Sequence, residues 1–195
     1  AGLDLPVGPL RRIGDDIDNN DVTNSNDGDG VVIATDHNTI TRNLIDGSCD
    51  SGLEFDGNDG QFSGNASWNT AQKNTITNND DCNDDEEGVE FEGDASHNLI
   101  GGSASQGNYI HDNGGAGIFG EDSDTQGNSF LSNSIDGNGD MGIVLTPGAN
   151  GSIVEPDVTS AKTVGGKLFI TGNVTGAAKA KYNVQLFASE GCDLS

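Results

Sequence analysis

Residues 43–55 read NLIDGSCDSGLEF, and residues 74–91 read NTITNNDDCNDDEEGVEF. Both stretches have an Asn two places before an aliphatic residue, then a polar turn, then Gly followed by alternating apolar and acidic residues. The aliphatic residue recurs at separations of 23, 31, 34 and 25 residues, as Val22, Ile45, Ile76, Ile110 and Ile135. Self-similarity at such a period is the signature of a solenoid, in which one short unit repeats along an axis.

Asparagine recurs in register with these aliphatic residues. Two places before them stand Asn20, Asn43, Asn74, Asn108 and Asn133. A second set lies further upstream and comprises Asp15, Asn38, Asn69, Asn98 and Asn128. Stacked Asn side chains hydrogen-bond to one another and to turn backbone, and Asn tolerates left-handed backbone. We therefore expect two internal ladders of Asn along the solenoid axis.

Each repeat contains three short segments in which apolar and polar residues alternate, separated by turns rich in Gly, Asn and Asp. A period of two in such short segments excludes amphipathic helices and indicates strands. One coil cannot bury its own inward face, so successive coils stack as parallel strands about 4.8 Å apart. The sequence thus predicts an all-β chain in which residues 1–150 form a right-handed parallel β-helix of five full rungs and a partial one. A β-sandwich and a leucine-rich horseshoe are alternatives, but neither explains five Asn residues in register.

The charge of the chain changes near Asn150. The net charge is −24, and residues 1–150 carry 28 of the 32 acids but only four of the eight bases. Residues 151–195 carry four of each, and their segments at 153–158, 168–172 and 182–188 read as antiparallel strands. We therefore expect residues 151–195 to form the opening strands of an immunoglobulin-like β-sandwich. Two or three strands bury too little core to be stable alone.

Several stretches resemble one group of proteins. They are GNGDMGIVL at 137–145, NLIGGS at 98–103, GNYI at 107–110 and VQLFASEGCD at 184–193. They resemble large bacterial or archaeal surface proteins in which pectate-lyase-like right-handed parallel β-helix repeats precede an immunoglobulin-like module. The resemblance covers nearly the whole chain and implies a right-handed parallel β-helix followed by an immunoglobulin-like module. Because this fold hosts lyases, hydrolases, adhesins and tailspikes, the activity has to be read from the site.

A column of carboxylates in the third segment is the sharpest candidate site. In the predicted register five acids crowd onto the outer face of three consecutive rungs, and these are Glu54, Asp56, Glu90, Glu92 and Glu121. Like charges at strand spacing are unfavourable unless something neutralises them. Ca²⁺ takes roughly six to eight oxygen ligands. The acidic turns at 26–30 and 80–87 offer oxygen ligands in addition to these five carboxylates. We therefore predict Ca²⁺ as a cofactor; the alternative is a solvated acidic face that maintains solubility in a salt-rich habitat.

The same column suggests a catalytic alternative. Glu54 and Glu90 on adjacent rungs could serve as the two carboxylates of a glycoside hydrolase. A lyase of the pectate-lyase type needs a base near the acidic cluster, yet Arg42 and Lys73 lie in other segments. A nucleophile motif, a phosphate loop and zinc-ligand spacing are absent from the sequence. We expect no catalytic residue here, and keep a polysaccharide lyase or glycoside hydrolase as the alternative.

An aromatic column stands one place before the second Asn set and comprises His37, Trp68 and His97. If exposed, it would offer a platform for a sugar ring, because aromatic faces pack against the apolar side of a pyranose. The alternative is mutual stacking that stabilises the turn.

Cys49 and Cys82 lie in the turns after the aliphatic residues of successive rungs, which predicts a disulfide between them; otherwise both are free thiols.

These features favour a structural or adhesive module located outside the cell or at its surface, or in an extracellular fibre. We expect self-association, or binding to extracellular polysaccharide or protein surfaces. A charge of −24 argues against binding nucleic acid, and no apolar run is long enough for membrane insertion. Because both ends read as unfinished, we expect a segment of a longer chain, with head-to-tail polymerisation as the alternative.

Overall fold

Each repeat of the chain contributes three short strands, and equivalent strands of successive repeats pair in parallel. This arrangement is seen in a computed structural model, which describes residues 3–4, 15–26, 28–57, 65–80, 86–176, 179, 181 and 183–186. Sheet A has six strands, and sheets B and C have five each. The predicted parallel β-helix is confirmed.

The strands are numbered in chain order. Sheet A contains β1 (Leu3–Asp4), β4 (Val31–Ile33), β7 (Leu53–Gly57), β10 (Val89–Gly93), β13 (Ile118–Gly120) and β16 (Ile143–Leu145). Sheet B contains β2 (Asp16–Asp18), β5 (Thr39–Thr41), β8 (Thr70–Gln72), β11 (Leu99–Gly101) and β14 (Ser129–Leu131). Sheet C contains β3 (Asp21–Thr23), β6 (Leu44–Asp46), β9 (Thr75–Thr77), β12 (Tyr109–His111) and β15 (Ser134–Asp136).

The register of the rungs follows the aliphatic repeat. In sheet C the paired residues are Val22 with Ile45, Ile45 with Ile76, Ile76 with Ile110, and Ile110 with Ile135. The central residue of each sheet B and sheet C strand points inward, whereas in β4 and β13 of sheet A the first and third residues do, and like side chains stack along the axis. Phe55 and Phe91 in sheet A stack with ring centroids 4.8 Å apart and an interplanar angle of 4°. The core is thin, but it is continuous along the coil.

Glycine precedes the strands of sheet A because the rungs approach closely there. A Cβ added at Gly52 would lie 2.5 Å from the Asn79 side-chain nitrogen and 2.8 Å from the Gly88 carbonyl oxygen. Distances that short are not available to real Cβ atoms. The Gly of the repeated phrase is therefore required by packing between neighbouring rungs.

Both predicted Asn ladders are present, and their members are buried except on the first rung, at Asp15 and Asn20. In the first ladder the side-chain nitrogen of each Asn donates to the side-chain oxygen of the next, from Asn20 to Asn133, at 2.9–3.1 Å. In the second ladder the backbone N–H of Asn38 donates to Asn69, that of Asn69 to Asn98, and that of Asn98 to Asn128. Asn150 extends this ladder by accepting from the Asn128 N–H at 2.8 Å.

In most of these turns the left-handed residue is the one immediately before the ladder Asn, not the Asn itself as we expected; the exception is Asn150, whose own φ is 51°. Before the first ladder, Asn19, Arg42, Lys73 and Ser132 have φ between 56° and 59°. The other ladder Asn residues do not have positive φ, and their side chains are committed to hydrogen bonds between rungs. The tolerance of Asn for left-handed backbone therefore does not explain these two ladders.

A third ladder follows sheet C and was not predicted. The Asn79 side chain donates to Asn113 at 2.7 Å, and the Asn113 side chain donates to Asn138 at 2.8 Å. The backbone N–H of Ser48 donates to the Asn79 side-chain oxygen at 3.0 Å, so this ladder reaches the second rung. These Asn residues stand three places after Ile76, Ile110 and Ile135, a spacing that is present in the sequence.

The chain beyond the coil forms a hairpin. A short 3-10 helix, Ala149–Gly151, is followed by β17 (Asp157–Val164) and β18 (Lys167–Asn173), which pair in an antiparallel sheet. The intervening Gly165 and Gly166 both have positive φ, as a tight two-residue hairpin turn requires. Large apolar side chains of the hairpin, including Leu168 and Phe169, are exposed.

The predicted strand at 153–158 is wrong, because β17 begins at Asp157 and extends to Val164. The predicted strand at 168–172 is confirmed within β18. In the predicted strand at 182–188, residues 183–186 are described and are not in a strand, and the remainder lies outside the described residues. The hairpin is the only sheet described after residue 151, so the immunoglobulin-like sandwich and the boundary at residue 150 stay predictions.

Cys49 lies in the turn after β6, is buried, and is part of a disulfide. Its predicted partner Cys82 lies outside the described residues, as does Cys192. The Cys49–Cys82 pairing therefore stays a prediction.

Candidate metal site on the outer face of sheet A

The acidic column of sheet A has the register that was predicted. Glu54 on β7 pairs with Glu90 on β10, and Asp56 pairs with Glu92. The chain around β7 and β10 alternates inward Phe and Leu or Val with outward acids, so the pleat places all four acids on one face. Neighbouring parallel strands are about 4.8 Å apart, so these carboxylates are held near one another by the backbone itself.

Seven carboxylates converge in three overlapping groups. The groups are Glu54–Asp56–Glu92, Glu90–Glu92–Glu121 and Glu86–Glu87–Glu90, and within each group one oxygen of every residue lies within 4.8 Å of the others. We call these seven residues the carboxylate face. All five predicted ligands belong to it, and Glu92 is shared between the two groups that contain only those ligands. That these residues bind a metal stays a prediction.

Part of the carboxylate face is buried rather than solvated. Only 8% of Glu54 and 1% of Asp56 is exposed to solvent. Asp29 comes from the turn before β4 and forms a side-chain hydrogen bond with Glu54. The Ser51 hydroxyl donates to Glu90 at 2.8 Å. The face is therefore a partly enclosed acidic site, and the alternative of a fully solvated surface does not describe Glu54 or Asp56.

Burial makes ionisation of this face unfavourable. It raises the pKa of Glu54 well above its ordinary range, reinforced by a hydrogen bond to Glu92 and the charge of Asp29. Burial also raises the pKa of Glu90 to about 8, with the charges of Glu87 and Glu92 adding to it while the Ser51 hydroxyl opposes it. The pKa of Glu87 rises to about 7, again through burial first and the charge of Glu86 second. Burial raises the pKa of Asp29 as well.

Among the described residues, no Lys or Arg forms a salt bridge with Glu54, Glu90 or Glu92. The salt bridges within the described part of the chain are Arg42–Asp18 and His111–Asp112, on other sheets. None of them involves Glu54, Glu90 or Glu92. A hydrogen bond between two carboxyl groups requires that one of them carry a proton, and after burial the hydrogen bonds of Glu54 to Glu92 and Asp29 accordingly raise its pKa. Protons and bound cations are two means by which such a cluster can be neutralised.

Sequence reasoning missed several members of this site. Asp29, Glu86 and Glu87 lie in acidic turns that were noted as sources of oxygen, but the strand register does not show that the turns fold onto the strands. Ser51 was missed entirely. Its position directly before the Gly of the third segment is the only signal for it in the sequence.

Two of the three residues in the aromatic column come together. The rings of Trp68 and His97 stack with centroids 4.4 Å apart. No ring contact is described between His37 and Trp68, although the His37 N–H donates to the backbone oxygen of Ser67 at 3.0 Å. Trp68 is 57% exposed. His97 thus covers one face of Trp68, as in the stacking alternative, and sugar binding at this column stays a prediction.

A coil of three parallel sheets, with one Asn ladder at each turn, defines a β-helix solenoid protein. The family described as a right-handed beta helix region matches residues 13–159. The chain belongs to this right-handed β-helix family. No curated protein and no solved structure gives a significant match to the chain. Within the described residues, no helix has the length and apolar character needed to cross a membrane.

Proposed function

We propose that the protein is a structural or adhesive β-helix module of the extracellular space or cell surface, and that Ca²⁺ bound by the carboxylate face stabilises it. The observation that carries the proposal is the convergence of seven carboxylates in three groups. Glu54 is enclosed among them, and no described Lys or Arg pairs with Glu54, Glu90 or Glu92. A bound cation would remove both the repulsion and the need for protonation.

The chemistry of the donors favours Ca²⁺ among common cations. Every side-chain donor of the carboxylate face is a carboxylate oxygen, which suits a hard cation with a high coordination number. Mg²⁺ requires near-octahedral geometry and retains most of its water, so it gains less from a dense carboxylate cluster. Glu92 belongs to two of the three groups and is the residue through which one cation site would connect to the next.

Extracellular location is supported by the disulfide of Cys49, because disulfides persist in oxidising compartments. The net charge of −24 favours partners that are neutral or cationic, or that are bridged by a divalent cation. Such partners include extracellular polysaccharides, protein surfaces and other copies of this chain. A coil of stacked short strands also suits a load-bearing role.

The decisive experiment measures thermal unfolding in EDTA and in millimolar Ca²⁺ at matched ionic strength. Binding to the folded state alone stabilises by about 2.7 kcal/mol when the free cation is at a hundredfold excess over Kd. For a chain of this size that corresponds to a rise of roughly 5–10 °C in the unfolding midpoint. We expect this rise in the wild type and its loss in Glu92→Gln.

Asp136→Asn is the matched control. It removes one negative charge from the exposed face of sheet C, opposite His111, and should leave the Ca²⁺ response intact. An equal rise with NaCl, or an equal loss of response in both variants, would show that general screening of the −24 charge is responsible. In that case the proposed Ca²⁺ site is incorrect.

A second candidate function is a polysaccharide lyase or glycoside hydrolase. The observation in its favour is that Glu54 and Glu90 are paired on neighbouring strands, since most glycosidases use two carboxyl groups that flank the scissile bond. Such an enzyme needs one carboxyl protonated and the other ionised. Here burial raises the pKa of both groups, which disfavours the division of roles. Turnover of acidic or neutral glycans that is abolished by Glu90→Gln but unaffected by Asp136→Asn would favour the enzyme.

A further inference from the structure

The first Asn ladder links each rung to the next through a repeated side-chain contact. The side-chain nitrogen of a ladder Asn donates to the backbone carbonyl at the centre of the sheet B strand one rung earlier. The four such bonds run from Asn43 to Ile17, from Asn74 to Ile40, from Asn108 to Ala71 and from Asn133 to Ile100, at 2.9–3.0 Å. A second repeated bond joins the left-handed residue of the turn to the next rung. The backbone N–H groups of Asn19, Arg42 and Lys73 donate to the backbone oxygens of Thr41, Gln72 and Gln106.

On the last rung both bonds are supplied by one residue from the far end of the chain. The side-chain nitrogen of Gln185 donates to the carbonyl of Phe130, the central residue of β14, at 2.8 Å. The side-chain oxygen of Gln185 accepts from the backbone N–H of Ser132, the left-handed residue that follows β14, at 2.6 Å. The Gln185 nitrogen therefore replaces the side-chain donor that a ladder Asn of a further rung would supply. The Gln185 oxygen replaces the backbone carbonyl that such a rung would offer to Ser132.

We propose that Gln185 caps sheet B of the coil and that residues 183–186 thereby close this edge against strand addition by a second copy of the chain. An open strand edge exposes unpaired N–H and C=O groups, which form a template for pairing with another chain. The neighbours Val184 and Leu186 are exposed. Within residues 183–186, the side-chain amide of Gln185 makes the hydrogen bonds that join the segment to β14 and the turn after it.

The two Asn ladders end in different ways at this end of the coil. The second ladder ends on Asn150, whose side-chain oxygen accepts from the Asn128 N–H and whose side-chain nitrogen donates to the Asn128 carbonyl. Asn150 is attached directly to the last rung by a short connection, whereas Gln185 returns after the hairpin of β17 and β18. The Gln185 contact can therefore open without unfolding of the rung that it covers.

Hydrogen exchange of single amides tests the contact. In Gln185→Ala we expect the Ser132 amide to exchange about tenfold faster, the factor that corresponds to loss of one typical hydrogen bond. The Asn128 amide, capped by Asn150, should be unchanged within the same molecule. Asn183→Ala is the matched control, since it truncates an exposed polar side chain of the same segment. Gln185→Glu keeps the acceptor for Ser132 but loses the donor to Phe130, and should give an intermediate effect.

Sedimentation across a range of concentrations, in EDTA so that the carboxylate face is not involved, tests the consequence. We expect concentration-dependent association of Gln185→Ala and a monomer for Asn183→Ala under the same conditions. Faster exchange at Ser132 together with this association supports the proposal. Unchanged exchange at Ser132, equal effects of both variants, or a variant that remains monomeric at every concentration overturns it.

Discussion

At the scale of single residues, the Asn side chain is the unit that joins one rung to the next. The hydrogen bonds of Asn74 show why Asn suits this position. Its oxygen accepts from both the backbone N–H and the side-chain nitrogen of Asn43, while its nitrogen donates to the Ile40 carbonyl and to Asn108. Only a short amide offers a donor and an acceptor at this distance from the backbone. An Asp would lack the donors, and a Gln would be too long for the turn.

Asn74→Ala is therefore expected to destabilise the protein strongly. It removes the acceptor of the Asn43 backbone N–H and of one Asn43 side-chain N–H, and it removes the donors to the Ile40 carbonyl and to Asn108. A buried polar group left without a partner costs about 1–3 kcal/mol. We expect the free energy of unfolding to fall by roughly 3 kcal/mol or more, measured by denaturant unfolding.

Asn78→Gly is the control for that substitution. Asn78 is exposed, has a φ of 52° and makes a side-chain hydrogen bond to Asp46. Gly adopts this φ without strain, so the substitution removes only a surface contact. We expect a change within about 1 kcal/mol. Equal losses in the two variants would contradict a special role for the buried ladder.

At the scale of the elements, sheet A combines a well-packed inner face with an electrostatically unfavourable outer one. The stack of Phe55 on Phe91 favours close pairing of β7 and β10. The same pairing forces Glu54 against Glu90 and Asp56 against Glu92. Because the hydrophobic core determines the register, the carboxylates cannot separate by slipping one residue, which would turn every inward side chain outward.

The elevated pKa values predict how stability depends on pH in the absence of cations. The pKa of Glu90 is about 8 in the folded protein, above its ordinary value of 4.5, so between these values the folded state binds more protons than the unfolded state. Its contribution is complete below the ordinary value and is lost as pH rises through about 8. In EDTA we expect a higher unfolding midpoint at pH 5 than at pH 8.

Variants at sheet A and sheet C distinguish this effect from general charge repulsion. Glu90→Gln removes the titrating group and should flatten the pH dependence, whereas Asp136→Asn, on sheet C, should preserve it. Saturating Ca²⁺ should flatten it as well, because a cation replaces the protons. A midpoint that rises steadily from pH 5 to pH 8 in EDTA would contradict the predicted sign.

At the scale of the whole molecule, the coil behaves as a one-dimensional stack in which each rung contacts only its neighbours. The aliphatic residues of the middle rungs, Ile45, Ile76 and Ile110, are fully buried. Their equivalents on the outer rungs, Val22 and Ile135, are only partly buried. Burial is thus concentrated in the centre of the stack and decreases toward its ends.

We therefore expect the stability of the backbone to follow the same gradient. Native-state hydrogen exchange should show the slowest amides at Ile45, Ile76 and Ile110, and faster exchange at Val22 and Ile135, because the outer rungs open without the middle ones. Ca²⁺ should slow exchange most in β7 and β10, which carry the carboxylate face. Uniform exchange across all five rungs would indicate a single cooperative unit and contradict this expectation.

The amino-acid sequence by itself determined the coil, its register and the pairing of the acidic residues. The spacing of Ile45, Ile76 and Ile110 sets which residues are stacked, and the alternation in β7 and β10 places Glu54 beside Glu90. This was possible because stacked residues are equivalent members of successive repeats. A periodic pattern therefore specifies the contact between them.

Only the tertiary structure decided what covers the acidic face and what closes the coil. Asp29 and Ser51 belong to turns, and they approach Glu54 and Glu90 from outside the strand register. Gln185 reaches Phe130 and Ser132 across more than fifty positions that include the hairpin. These contacts join residues that have no periodic relation to each other, so they depend on how the chain folds back in space. Neither spacing nor alternation carries that information.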